Sequence, residues 1–216
     1  MEVRATPLEG VLLIEPRVFP DARGFFLETW QQKRYEEAGL TLPFVQDNHS
    51  CSARGVLRGI HFQIAHPQGK LISVSQGRVY DVAVDLRPGS PTFGQWYGAE
   101  LSADNHRQLW IPPGLGHAFC VLSDQAHFHY KCTDYYVPGD EGCIIWNDPS
   151  CPPKTLPPPL WRSCAMPDLF PADTDENASL ADKEERPRPA LGVWSRRLLN
   201  VPHLAAFLNA SIRYRP

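Results

Sequence analysis

Arg58-Gly59-Ile60-His61-Phe62-Gln63, followed by Gly69-Lys70 and later by Pro112-Pro113-Gly114-Leu115-Gly116-His117, is the stretch that decides the fold. Two β-rich halves each carry a histidine after a glycine turn. Spaced in this way they read as two inner walls of a small β-barrel, with His61 as the candidate proton carrier. A metal-binding barrel of this kind would place His-x-His on the first wall, but the second ligand position here holds Gln63. A zinc-type site needs at least three well-placed ligands, and one His with one Gln and no nearby Glu falls short of that. No metal is therefore expected, and His61 is read as an acid or base. From these residues alone, a core histidine satisfied by hydrogen bonds remains an equal alternative.

Working outward, short β-prone runs recur with turn signals between them. They include Val11–Ile14, Phe25–Thr29, Phe44–His49, Gly55–Gln63, Leu71–Ser75, Val79–Leu86, Gln95–Leu101, Arg107–Pro112, Ala118–Leu122 and Ala126–Tyr136. Such spacing with almost no helical periodicity predicts an all-β sandwich or barrel. One short helix is expected from Gln31 to Gly39, with Tyr35 and Ala38 inward and Gly39 as its stop. In Val79–Asp85 the two aspartates sit on the opposite parity to Val82 and Val84, so one face of that strand is polar and can line a lumen.

Bulk properties narrow the classes. A chain of 216 residues with net charge −3 can bury a full core and is poorly suited to nucleic acid as its main partner. The first residues lack the basic-then-apolar pattern of a secretory signal, and no apolar run approaches the ~20 residues of a membrane helix. The expectation is a cytoplasmic protein without membrane association. Its six cysteines, with no Cys-x-x-Cys pair, are read as reduced and mostly buried.

The runs Arg23-Gly24-Phe25-Phe26-Leu27-Glu28, Phe44-Val45-Gln46-Asp47-Asn48-His49-Ser50, Gly55 to Gln63, Gly69-Lys70, Tyr80 to Asp85, Ser90 to Gly94, Arg107 to Pro112, Tyr130-Lys131 and Trp146-Asn147-Asp148-Pro149 strongly resemble the dTDP-4-dehydrorhamnose 3,5-epimerase family. The likeness runs from about residue 3 to 149. It implies a cupin-type jelly-roll barrel with short peripheral helices, a homodimer that exchanges N-terminal β runs, and no metal or organic cofactor. The implied substrate is a dTDP-linked 4-keto-6-deoxyhexose epimerised at C3 and C5. By this resemblance His61 is the base, Tyr130 the acid and Lys70 the stabiliser of the enolate oxygen, with Asp81 behind His61 or Lys70. Arg23, Glu28, Gln46, Asp47, Asn48, Arg58, His117, Tyr136 and Glu141 are the implied substrate-binding positions. A single-carbon epimerase and a non-catalytic nucleotide-sugar-binding cupin are the rival readings.

Past residue 149 the likeness strains. Pro149 to Pro171 holds eight prolines and reads as a surface loop. Leu180-Ala181-Asp182-Lys183-Glu184 is the best match to the family's late Leu-Ser-x-Lys-Asp motif, whose acid orients the base. Lys183 fits, and Glu184 stands one methylene longer than the expected Asp. Glu184 could serve if its backbone recedes, Asp182 could reach in instead, or the segment could be idle. The domain is taken as 1–184. Residues 185–216 form a basic extension with six arginines and one acid, holding a short amphipathic helix around Leu204, Phe207, Leu208 and Ile212. Packing on the barrel or a partner subunit, a disordered arm, and a surface for membrane or acidic partners all remain open for it.

Overall fold

The computed structural model describes residues 1–144. In chain order the elements are β1 (Glu2–Ala5), β2 (Leu12–Glu15), β3 (Val18–Asp21), β4 (Gly24–Leu27), α1 (Gln32–Glu37), β5 (Gln46–Ala53), β6 (Leu57–Gln63), β7 (Lys70–Gln76), β8 (Arg78–Asp85), β9 (Trp96–Ser102), β10 (Gln108–Ile111), β11 (Leu115–Val121), β12 (Gln125–Cys132) and β13 (Glu141–Cys143). A six-stranded sheet, ordered β1-β2-β10-β7-β12-β5, faces a five-stranded sheet, ordered β13-β6-β11-β8-β9. All the strand pairs are antiparallel. This is the expected jelly roll of cupin type. β3 and β4 form a separate hairpin.

The core lies between the sheets because inward residues alternate along each strand. Leu13, Ile72, Val74, Leu109, Ile111, Ala126 and Phe128 from one sheet meet Val79, Ala83, Leu101, Leu115, Phe119 and Val121 from the other. Phe119 and Phe128 stack across the gap with ring centroids 4.0 Å apart. Burying such a side chain is worth about 1.5–3 kcal/mol. Beyond this pair the inward positions turn polar, so one end of the sandwich is filled and the other is open to chemistry.

α1 covers the outer face of the six-stranded sheet, as expected from Tyr35. That residue is 1% exposed and packs with Ile14, Leu40, Leu71 and Trp110, and its hydroxyl donates to Gln108 Oε1 at 2.7 Å. Gly39, at φ +98°, stops the helix. Three strands escape the sequence reading: β1, β3 and β13. β1 and β3 are short and mostly exposed, and β13 is only three residues long, so each lacks the apolar run that announces a strand. Cysteine corrects a further expectation. Cys51 and Cys143 are exposed free thiols and Cys132 a buried one, so these three are reduced as expected but only one of them is buried. The proline-rich 149–171 segment, Asp182, Lys183, Glu184 and the 185–216 extension lie outside the described residues. Among the described residues, no helix is long and apolar enough to cross a membrane.

Candidate active site

The polar end of the sandwich encloses a cavity of about 340 Å³. Period-2 alternation selects its walls on β5, β11 and β12, while on β6 a register shift against β11 lets Arg58 and His61, three residues apart, share the face. From β5 come Gln46, Asn48 and Ser50, and from β12 Phe128 and Tyr130. β7 contributes Lys70, β6 Arg58 and His61, β11 His117 and Phe119, and β13 Glu141. The stacked Phe119–Phe128 pair forms the apolar floor. Gln68 and Tyr136 complete the lining from loops.

His61 and His117 are direct cross-strand partners. Gly59 makes their approach possible. It holds φ +118°, and a Cβ there would sit 2.5 Å from the carbonyl oxygen of His117 and 2.6 Å from Ala118 Cα. Any other residue would push β6 off β11 and carry His61 with it.

Two His–carboxylate contacts follow. Glu141 Oε1 approaches His61 Nδ1 at 3.0 Å. The oxygen lies off the line of the ring N–H, so this is a close contact and not an aligned hydrogen bond. His61 holds the Glu141 carboxyl below its ordinary value, outweighing the burial that would raise it. Glu141 is thus the carboxylate beside His61 among the described residues, and Glu184, expected in that role, lies outside them. Asp81, fully buried, bonds His117 Nε2 at 2.9 Å. It backs His117 directly and not His61 or Lys70 as expected. Burial pushes the His117 pKa down against the opposing pull of Asp81, so His117 is neutral and donates from Nε2 to the carboxylate.

Lys70 reaches over the Tyr130 ring, with Nζ 5.9 Å from its centroid. Burial lowers the Lys70 pKa, partly offset by Cys132, Asp81 and Glu141. Burial raises that of Tyr130, so its hydroxyl stays protonated well past neutrality. The resulting chamber joins an imidazole, a phenol and an amine, with an Arg and amides around them. Among the described residues no cluster of His, Cys, Asp or Glu could hold a metal ion.

Of the sequence-derived positions, His61, Lys70, Tyr130, Gln46, Asn48, Arg58, His117, Tyr136 and Glu141 meet in this cavity. Asp47 does not. It points to the opposite face of β5 and pairs with Lys131 at 2.9 Å. Arg23 and Glu28 do not either. Arg23 pairs with Asp21 at 2.6 Å on the β3–β4 hairpin, and Glu28 with Arg34 at 2.6 Å. Sequence reasoning missed Ser50, Phe119, Phe128 and Gln68. Strand parity from Asn48 and Tyr130 would have found Ser50 and Phe128.

The profile of dTDP-4-dehydrorhamnose 3,5-epimerases matches residues 5–160. The chain belongs to that family. It is an isomerase of the epimerase type. The dTDP-4-dehydrorhamnose 3,5-epimerase of Pseudomonas aeruginosa is 59% identical over 150 residues, covering 69% of this chain and 83% of that protein. The Neisseria gonorrhoeae protein of the same name is 46% identical over 211 residues, covering 92% of this chain and 61% of its own length. A crystal structure of the Legionella pneumophila dTDP-6-deoxy-D-glucose-3,5-epimerase with dTDP-4-keto-L-rhamnose superposes with a TM-score of 0.67 at 56% identity. It covers 68% of this chain and 79% of that one.

Proposed function

We propose that this epimerase inverts C3 and C5 of a dTDP-linked 4-keto-6-deoxyhexose, giving the L-rhamno product, by proton transfer without metal or organic cofactor. One observation carries the reading: His61 and Tyr130 look into one cavity from opposite sheets, so a flat ring between them presents one face to each. The C4 ketone acidifies the hydrogens on C3 and C5. His61 removes one, and the electron pair moves into the enolate, whose oxygen Lys70 holds. The Tyr130 hydroxyl then returns a proton from the other face. Solvent exchange resets the two groups. A positioned acid–base pair contributes about 10²–10⁴-fold in rate, and charge held at the enolate oxygen is often the larger effect. Arg58 suits the diphosphate, because a guanidinium fork matches paired phosphoryl oxygens. Gln46 and Asn48 offer amides to the sugar or base.

The active unit is proposed to be a cytoplasmic homodimer. Phe19, Phe25 and Phe26 on the β3–β4 hairpin are 45%, 60% and 68% exposed, which suits burial in a second subunit. Exchange of that hairpin would bring Arg23 toward the partner's cavity, which its own chain does not do. Residues 1–184 are taken as the catalytic domain and 185–216 as an extension. Lys183 and Glu184 are kept as candidates for closing the site.

Turnover in D₂O tests the reaction. Incubation with dTDP-4-dehydro-6-deoxy-D-glucose and a chelator should place deuterium at both C3 and C5. One deuterium would mark a single-carbon epimerase, and none would mark a binding protein.

A further inference from the structure

The segment after β12 carries Tyr136 to the cavity mouth without belonging to a strand. Its backbone groups cannot use a sheet ladder, and glutamine side chains take them instead. Gln68 Nε2 donates to Asp134 O at 2.8 Å, and Gln63 Nε2 donates to Tyr135 O at 3.2 Å. Tyr136 N donates to Gln46 Oε1 at 3.0 Å, and Val137 N to Gln63 Oε1 at 2.8 Å. Four successive residues are thus held by three amides. Gln63 alone holds the peptide groups on both sides of Tyr136, and its second N–H reaches His66 O at 2.7 Å. Its side chain is buried and three bonds commit it.

We propose that Gln63 is a positioning residue for the active site: at the barrel position where a metal-binding relative would carry a ligand, its amide fastens residues 135–137 so that Tyr136 stands against Glu141 at the cavity mouth. The chemistry suits the role. A carboxamide presents donors and an acceptor together, so it bridges a C=O and an N–H of one segment at once. A histidine could not satisfy both, because its two nitrogens diverge. Gln63 is also the cross-strand partner of Glu141. The Tyr136 hydroxyl donates to Glu141 Oε2 at 3.5 Å, and Glu141 in turn approaches His61. One buried amide therefore sets the loop and the aromatic that the loop stands against Glu141. Side chains that locate a site depend on such support to within about 0.5 Å.

The inference rests on the reading of this cavity as a nucleotide-sugar site, so its test uses one readout independent of activity. Gln63→Leu removes all three bonds at nearly constant volume. Hydrogen exchange of the 135–137 amides should then quicken at least tenfold, while the paired amides of β6 and β12 keep their protection. KM for the 4-keto nucleotide sugar and Kd for dTDP should each rise about tenfold, with kcat within about twofold of wild type, the pattern of lost positioning and not lost chemistry. If Gln63→Leu does not fold, Gln63→Asn, too short to span the segment, carries the same expectations. Unchanged exchange at Val137 would overturn the clamp, as would a fall in kcat with KM and Kd unmoved. A wild-type protein that turns nothing over while exchange at 135–137 still responds would instead overturn the epimerase reading.

Discussion

At the residue scale, the proposed proton carriers make separable predictions. His61→Asn should keep the fold and dTDP affinity while removing nearly all deuterium exchange at C3 and C5, read by NMR; near-normal exchange would sink His61 as the base. Tyr130→Phe deletes a hydroxyl and leaves the ring on Phe128, 5.9 Å away. Exchange should persist in part because His61 remains, with net inversion falling further than exchange does. Equal loss of both would give Tyr130 a packing role. Lys70 sets a pH limit. Burial lowers its pKa from the ordinary 10.5, whereas the Tyr130 hydroxyl moves above its ordinary 10.0. Rising pH therefore removes the Lys70 charge earlier than it would from a free lysine, and kcat/KM should begin to fall below pH 10.5. Lys70→Arg, which stays charged, should abolish that alkaline limb whatever it does to the maximum rate. His61, Lys70 and Tyr130 were legible because each sits in a distinctive local string. Glu141 beside His61 was legible only as a binding position, since its contact depends on β13 pairing with β6.

Burial alone does not decide how well an element was read: β11 is buried along its length yet begins at Leu115 and not at the expected Ala118, while partly exposed β9 lies one residue from its expected bounds. β7, β8 and β10 lie close to their expected bounds because packing between layers demands continuous apolar runs. β12 stops at Cys132, short of the expected Tyr136, because the next backbone groups leave the ladder for glutamine side chains. The loop after β8 shows another side-chain anchor. Asp85, fully buried, accepts from Arg87 Nη2 at 2.8 Å, Ser90 Oγ at 2.6 Å and Thr92 Oγ1 at 2.6 Å. Burial pushes its carboxyl up, but these bonds together hold it well below the usual carboxylate range. A depressed folded pKa gives stability that is complete above the unfolded value of about 3.9 and lost as pH falls further. Asp85→Asn should therefore destabilise by about 2 kcal/mol at pH 7. In urea titrations that deficit should shrink below about pH 4, and a deficit constant with pH would dismiss the carboxylate as the anchor.

For the whole molecule, the exposed β3–β4 hairpin and the distance of Arg23 from its own cavity make assembly testable. Arg23→Ala and His61→Asn homodimers should each be impaired. Mixing them through reversible dissociation should restore activity, up to one good site in each mixed dimer, because an intact hairpin from one subunit then meets an intact base in the other. Failure of mixed dimers to regain activity would remove the hairpin from the partner's site. The extension from 185 is not peculiar to this chain. The gonococcal match takes in 92% of it, more than residues 1–184 could supply.

The sequence by itself determined the all-β class, the polar inner face of β8 and, through family resemblance, most of the residues that meet in the cavity. Those properties follow from local periodicity and short strings of residues around glycine turns. Tertiary structure alone decided which carboxylate meets which histidine, that Asp47 faces away while Gln46 and Asn48 face in, and that Gln63 bonds the backbone of Tyr135 and Val137. Cross-strand register and the path of an unpaired segment arise between residues far apart in the chain. A one-residue change in register moves every side chain to the other face, and no local pattern records that choice.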